Sequence, residues 1–109
     1  KVHLAFGYTD MRKGIDGLAM LVQGMLRQDP FSGHLFVFRG RKANLLKIVS
    51  WDGTGLCLYT KRLEHGVFHW PSAVEPGGTL MLSAEQMSLL IDGVDWRAPV
   101  RQWRPAAAG

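Results

Sequence analysis

Arg39-Gly40-Arg41-Lys42 places three cations around one turn, and Lys61-Arg62 closes a later apolar run. Arg12-Lys13 precede a helical pattern, while Trp96-Arg97 and Arg101-Gln102-Trp103-Arg104 twice set an indole beside a guanidinium. These residue types bind anions. Arginine grips phosphate with two parallel donors, lysine adds a point charge, and tryptophan stacks on bases. Each also has a plainer use. Arg39, Arg41 and Lys42 could equally be solvated on a sheet edge. Trp96 and Trp103 fit better as apolar anchors for the chain end, with Arg97, Arg101 and Arg104 in water. Cations at a helix start oppose the helix dipole, so Arg12 and Lys13 read as contact residues bearing a local cost.

The charge distribution points the same way. The formal net charge is +4 with a pI near 9.6. Residues 31–70 hold six of the cations against only Asp52 and Glu64. A basic surface attracts polyanions, of which nucleic acid is the commonest.

Other chemistries find little footing. His3, His34, His65 and His69 are scattered and Cys57 has no partner cysteine, so no metal set emerges. His65 and His69 would lie about 13 Å apart along a strand. Cys57 falls between two leucines, where a small buried thiol is expected. Ser50, Ser72 and Ser83 lack a nucleophile elbow, and Gly53-Thr54-Gly55 opens no helix. A nuclease would need clustered carboxylates. Asp10 fits a helix cap, Asp16 a first helical turn, Asp52 a turn and Glu64 a hairpin end. No catalytic residue, metal, cofactor or small-molecule substrate is expected.

The elements that carry these groups follow from periodicity. Val2 to Phe6 reads as a short edge strand, and Tyr8-Thr9-Asp10 as helix-capping material. Ile15, Leu18, Leu21, Val22 and Met25 follow helical spacing, ended by Asp29-Pro30. Gly14, Gly17 and Gly24 weaken that helix and suggest close backbone packing. Leu35–Arg39, Leu45–Trp51, Leu56–Leu63 and Val67–Trp70 are strand candidates split by short glycine-containing turns, of which Asp52-Gly53 is the strongest. Thr79–Leu82 offers a further strand. Ser83 to Gln86 form a capping box before a second helix carrying Met87, Leu90 and Ile91. The pattern predicts an α+β fold: a four- to five-stranded antiparallel meander sheet with two helices packed on one face. Residues 1–94 form the single domain, and 95–109 an extended Trp/Arg-containing C-terminal tail.

Length and hydropathy fit one globular domain with no bilayer-spanning run. Asp10, Arg12 and Lys13 interrupt any signal-peptide core. A first residue other than methionine suggests a trimmed or missing start. One unpaired cysteine fits a reducing cytoplasm.

Linked motifs then carry a resemblance over essentially the whole chain. Thr9-Asp10-Met11-Arg12-Lys13-Gly14, Asp16-Gly17-Leu18, Asp29-Pro30-Phe31-Ser32-Gly33, Phe36-Val37-Phe38 and Asp52-Gly53-Thr54-Gly55-Leu56 are followed in order by Lys61-Arg62-Leu63-Glu64, Phe68-His69-Trp70-Pro71 and Trp96-Arg97. This series resembles the TnpB accessory proteins of insertion sequences in family sixty-six, the second open reading frame products of those elements. The resemblance implies a bacterial protein encoded beside a transposase and needed for efficient transposition of the element. It carries no catalytic residues over. The resulting expectation is a non-enzymatic accessory factor that binds DNA, the transposase of the same element, or both. The nucleic-acid contacts would be Arg12, Lys13, Arg39, Arg41, Lys42, Lys61 and Arg62. The alternatives are an interaction module that docks on the transposase through a strand edge or the tryptophan tail without touching DNA, and a small metal-dependent nuclease.

Overall fold

Four successive buried residues, Val2–Ala5, form a strand (β1) with no wet face. Such a strand belongs inside a sheet covered on both sides. In the computed structural model, which describes residues 1–72 and 78–97, β1 lies between two partners. It pairs in parallel with β2 (Leu35–Arg39) and antiparallel with β5 (Thr79–Leu82). β3 (Leu45–Trp51) and β4 (Leu56–Arg62) continue from β2 as antiparallel neighbours, giving the order β4-β3-β2-β1-β5.

The α+β class and the β2–β3–β4 meander therefore match the sequence pattern, whereas the sheet as a whole is mixed. β1 is an interior strand, not an edge. The segment joining it to β2 holds helix α1 (Ile15–Gly24), long enough for the crossover that parallel neighbours require.

The helices also depart from expectation, because they cover opposite faces. Phe36, Phe38 and Val49 pack with Leu18, Val22 and Leu26 in and after α1. Their alternates Val37, Leu46 and Ile48 pack with Met87 and Leu90 of α2 (Ala84–Ile91). Successive side chains of a strand point to opposite faces, so one layer lies on each side. The runs in β1 and β2 are apolar on both faces, and burial of both needs two layers.

Helix α1 stops at Gly24, and Arg27 turns the chain with a left-handed φ of 56°. Its glycines do not mark close helix packing. Gly14 and Gly24 have open space where a side chain would be, and Gly17 approaches only Lys13. Helix α2 begins at the expected capping box. Ser83 Oγ accepts from the Gln86 amide at 3.1 Å, and Gln86 Oε1 accepts from the Ser83 amide at 2.9 Å.

Val67–Trp70 is not a strand. After β4 the chain bends back beneath the β2–β3 turn, where the Leu63 amide donates to Asn44 O at 2.8 Å and the Phe68 amide to Ala43 O at 2.7 Å. Phe68 and Trp70 enter the core beside α2, and Trp70 Nε1 donates to Ala5 O at 2.8 Å. This strap joins the hairpin to β1 through side chains instead of a ladder. No helix among the described residues is long and apolar enough to cross a membrane.

Candidate nucleic-acid interface

Because β1 and β2 run in the same direction, their carboxyl ends lie side by side. The chain leaving β1 turns towards α1, and the chain leaving β2 turns into β3. The two diverging segments enclose a half-open groove of about 500 Å³, lined by Tyr8, Met11, Arg12, Arg41, Lys42 and Leu45 among others. Its walls are tied together. The Thr9 amide donates to Arg39 O at 2.8 Å, and the Met11 side chain packs so closely on Gly40 that a Cβ there would lie 2.5 Å from Met11 Cγ. Ala43, in the turn, holds a left-handed φ of 65° while its amide donates to Gly40 O. That conformation is rare for a residue with a side chain. The strap hydrogen bonds at Asn44 and Ala43 hold it in place.

Three of the expected cations meet here. Arg41 sits over Tyr8, with its guanidinium carbon 4.7 Å from the ring centroid and Nη2 donating to the Tyr8 hydroxyl at 2.8 Å. Lys42 is exposed at the turn. Arg12 projects into solvent and pairs with Asp10 at 2.8 Å. The Arg12 guanidinium, helped by its own amide, holds the Asp10 carboxyl well below the usual carboxylate range. Asp10 thus closes its own turn and does not cap α1, whose N-cap Gly14 receives no side-chain bond. Lys13 is exposed immediately before that cap, and its carbonyl accepts from Lys47 Nζ at 2.9 Å. Arg62 lies across from Leu45 in the β3–β4 register, which places it on the same face and at the same end of the sheet as the groove.

The other expected contact residues are placed elsewhere. Arg39 points to the opposite face, stacked 5.0 Å from the Trp70 ring, with Nη1 donating to Phe68 O at 3.2 Å. Burial, and secondarily the nearby Arg97, lower its affinity for the proton. Lys61 Nζ donates to Ile91 O at 2.7 Å, a cation placed at the carboxyl end of α2. Trp96 is a core residue, donating from Nε1 to His69 O at 2.7 Å. Arg97 binds Asp95, pulling that carboxyl down to about 2, and donates to Trp70 O at 2.9 Å. Arg101, Trp103 and Arg104 lie outside the described residues. Tyr8, Met11 and Asn44, which shape the groove, carry no signal as site residues until β1 and β2 are known to be parallel.

Two further clusters lie away from the groove. Asp52 accepts from the amides of Thr54 and Gly55, which with the Cys57 thiol bring its carboxyl down to about 2. Cys57 is exposed, not buried, because β4 is the sheet edge. His3 is buried, with its ring 5.0 Å from those of both His34 and Phe36, and Nε2 lies 2.9 Å from His34 Nδ1. Its Nδ1 has no partner among the described residues. Burial, then the neighbouring His34, push its pKa down. Among the described residues no three His, Cys, Asp or Glu side chains gather as a metal set.

A family model described as "IS66 Orf2 like protein" matches residues 1–101. The uncharacterized protein y4hO of Sinorhizobium fredii is 50% identical over 109 residues, covering 100% of this chain and 93% of that protein. A second uncharacterized protein of the same organism, y4jC, is 40% identical over 106 residues, covering 94% of this chain and 89% of its own length. No solved structure matches.

Proposed function

The chain belongs to the IS66 Orf2-like family, and on that premise we propose that it is a non-enzymatic accessory protein of insertion-sequence transposition that binds DNA. The contact surface is the groove mouth, where Arg41 and Lys42 from the β2–β3 turn meet Arg12 from the loop after β1. That convergence is the observation that carries the reading. Residues about thirty positions apart in sequence form one cationic rim only because the fold brings two loops together. Lys13 and Arg62 extend the rim on the α1 side of the sheet. Arg12 contributes less than a free cation, since Asp10 already compensates it. Arg41 and Lys42 have no carboxylate partner among the described residues, so phosphates can take that place.

A non-catalytic role is supported by two aspartates, Asp10 in the groove lining and Asp52 in the distant β3–β4 turn. Asp10 and Asp52 are each engaged by local donors. Their positions are explained by turn geometry. The test is titration of a labelled short DNA duplex at several salt concentrations. Affinity that falls steeply as salt rises supports the proposal. Binding that is absent at low salt, or indifferent to salt, overturns it.

The open edge of β4 favours a second reading. Among the described residues β4 pairs only with β3, and Tyr59 is 46% exposed along it. A strand of the transposase could add there. The tryptophan anchor is less available for such docking, because Trp96 is buried. Capture of the transposase that persists in high salt would favour this reading.

A further inference from the structure

We propose that the groove between the two loops receives an unpaired nucleotide of a DNA strand, a reading that rests on DNA binding at its rim. Phosphate contacts to an intact duplex need only a convex or flat cationic surface. Here the cations surround a recess whose volume, about 500 Å³, lies in the range of small-molecule pockets, about 300–1,000 Å³. The recess is apolar at Met11 and Leu45, and polar but neutral at Thr9 and Asn44. That pattern matches a nucleotide, whose flat base seeks apolar cover and edge hydrogen bonds while its phosphate seeks the rim.

The Tyr8–Arg41 pair supplies a flat surface. The guanidinium already sits over the ring and is bonded to its hydroxyl, and Tyr8 remains 57% exposed. Unpaired bases stack on tyrosine rings and on guanidinium planes alike. A base inside a duplex must first leave its neighbours, at a cost that an unpaired one avoids. Asp10 bears on the orientation. Its carboxylate is bonded to Arg12, which leaves Arg41 and Lys42 as the uncompensated cations of the rim, so the sugar–phosphate runs past them and the base points inward.

The recess is preorganised. Thr9, Gly40, Ala43 and Asn44 are held by the backbone hydrogen bonds that join β1, the turn and the strap. Loops tied by these bonds have less freedom to lose on binding than unanchored ones, which favours affinity.

The experiment compares a blunt duplex with the same duplex bearing a short unpaired extension that contains 2-aminopurine, read by anisotropy and by the fluorescence of that base. Wild-type protein should bind the extended duplex about tenfold more tightly, the scale of one stacking contact, and quench the 2-aminopurine. Tyr8→Ala should remove most of that preference and the quenching. Equal affinity for both duplexes, or unquenched 2-aminopurine in the bound extended duplex, overturns the nucleotide site while leaving DNA binding intact. Loss of all binding at low salt overturns both. Equal quenching of a free 2-aminopurine nucleotide at the same concentration also overturns the proposal, because the site would then not need a strand.

Discussion

Removal of Arg41 and Lys42 together separates a phosphate interface from a merely basic surface. Three rim cations, Arg12, Arg41 and Lys42, border the groove. Arg41 and Lys42 have no carboxylate partner among the described residues, and if each neutralises one phosphate the pair contributes about −1.8 to the slope of log K against log salt, about −0.9 per contact. The double variant Arg41→Ala, Lys42→Ala should make the slope shallower by that amount, whatever Arg12, Lys13 and Arg62 add to both proteins. Over a fourfold rise in salt the wild-type affinity then drops about 12-fold more than that of the variant. Folding should be little changed, because both residues are exposed and their turn is held by backbone bonds and the strap. Fluorescence anisotropy with a short duplex, at constant pH and four or more salt concentrations, gives the slopes. Circular dichroism melting provides the control for folding. A variant with the wild-type slope and an unchanged melt would refute the assignment, and the phosphates would have to be sought at another face.

Three other perturbations test how the site is supported. Arg39→Ala removes a charged donor to Phe68 O and the stack on Trp70, and should cost about 2 kcal/mol of stability with the salt slope unchanged; a changed slope would return Arg39 to the contact surface. Ala43→Val forces a β-branched side chain into the left-handed conformation and should lower stability by about 2 kcal/mol, whereas Ala43→Gly should be neutral or stabilising in the same chemical melt. Burial, then the neighbouring His34, lower the His3 pKa below the ordinary value of 6.5. The unfolded chain therefore binds the proton more readily, and stability, full above that value, is lost as pH falls from it towards the folded pKa. His3→Phe should flatten the dependence of the thermal midpoint on pH just below 6.5; an unchanged slope in the variant would assign the acid sensitivity elsewhere.

Much of the fold is legible where the information is local. β2 and β3 match their predicted spans, β4 ends one residue early, and the Asp52 turn and the Ser83–Gln86 capping box are visible in the residues themselves. What resists reading is pairing between distant segments. Val2–Ala5 contains a histidine and is short, so nothing in it distinguishes an edge from an interior strand. Its alternation is concealed because His3 stacks on His34 and Phe36, a satisfied environment that exists only in the folded sheet. The same limit explains the cations. Arg39 and Arg41 are two residues apart, yet one belongs to the α2 face and the other to the turn. Which of them finds a structural partner depends on Trp70, and its route beneath the hairpin was hidden by its resemblance to a strand.

The parallel pair is the feature on which the candidate site depends. Had β1 joined an all-antiparallel meander beside β2, the loop after β1 would lie at the far end of the sheet from the β2–β3 turn. A five-residue strand spans about 17 Å, so Arg12 and Arg41 could not then border one recess. With β1 parallel to β2 through Val2↔Leu35, His3↔Phe36 and Leu4↔Val37, both segments leave at the carboxyl ends. One rises towards α1 and the other turns into β3, so a crevice must open between them. The same divergence produces ligand crevices at the carboxyl ends of strands in open α/β sheets. Here it occurs once, in an otherwise antiparallel sheet, and the exposed cations of both loops lie around it. The basic turn at Arg39–Lys42 thus acquires a recess through the neighbour of its strand, and a binding role for Arg41 and Lys42 rests as much on the placement of β1 as on their charge.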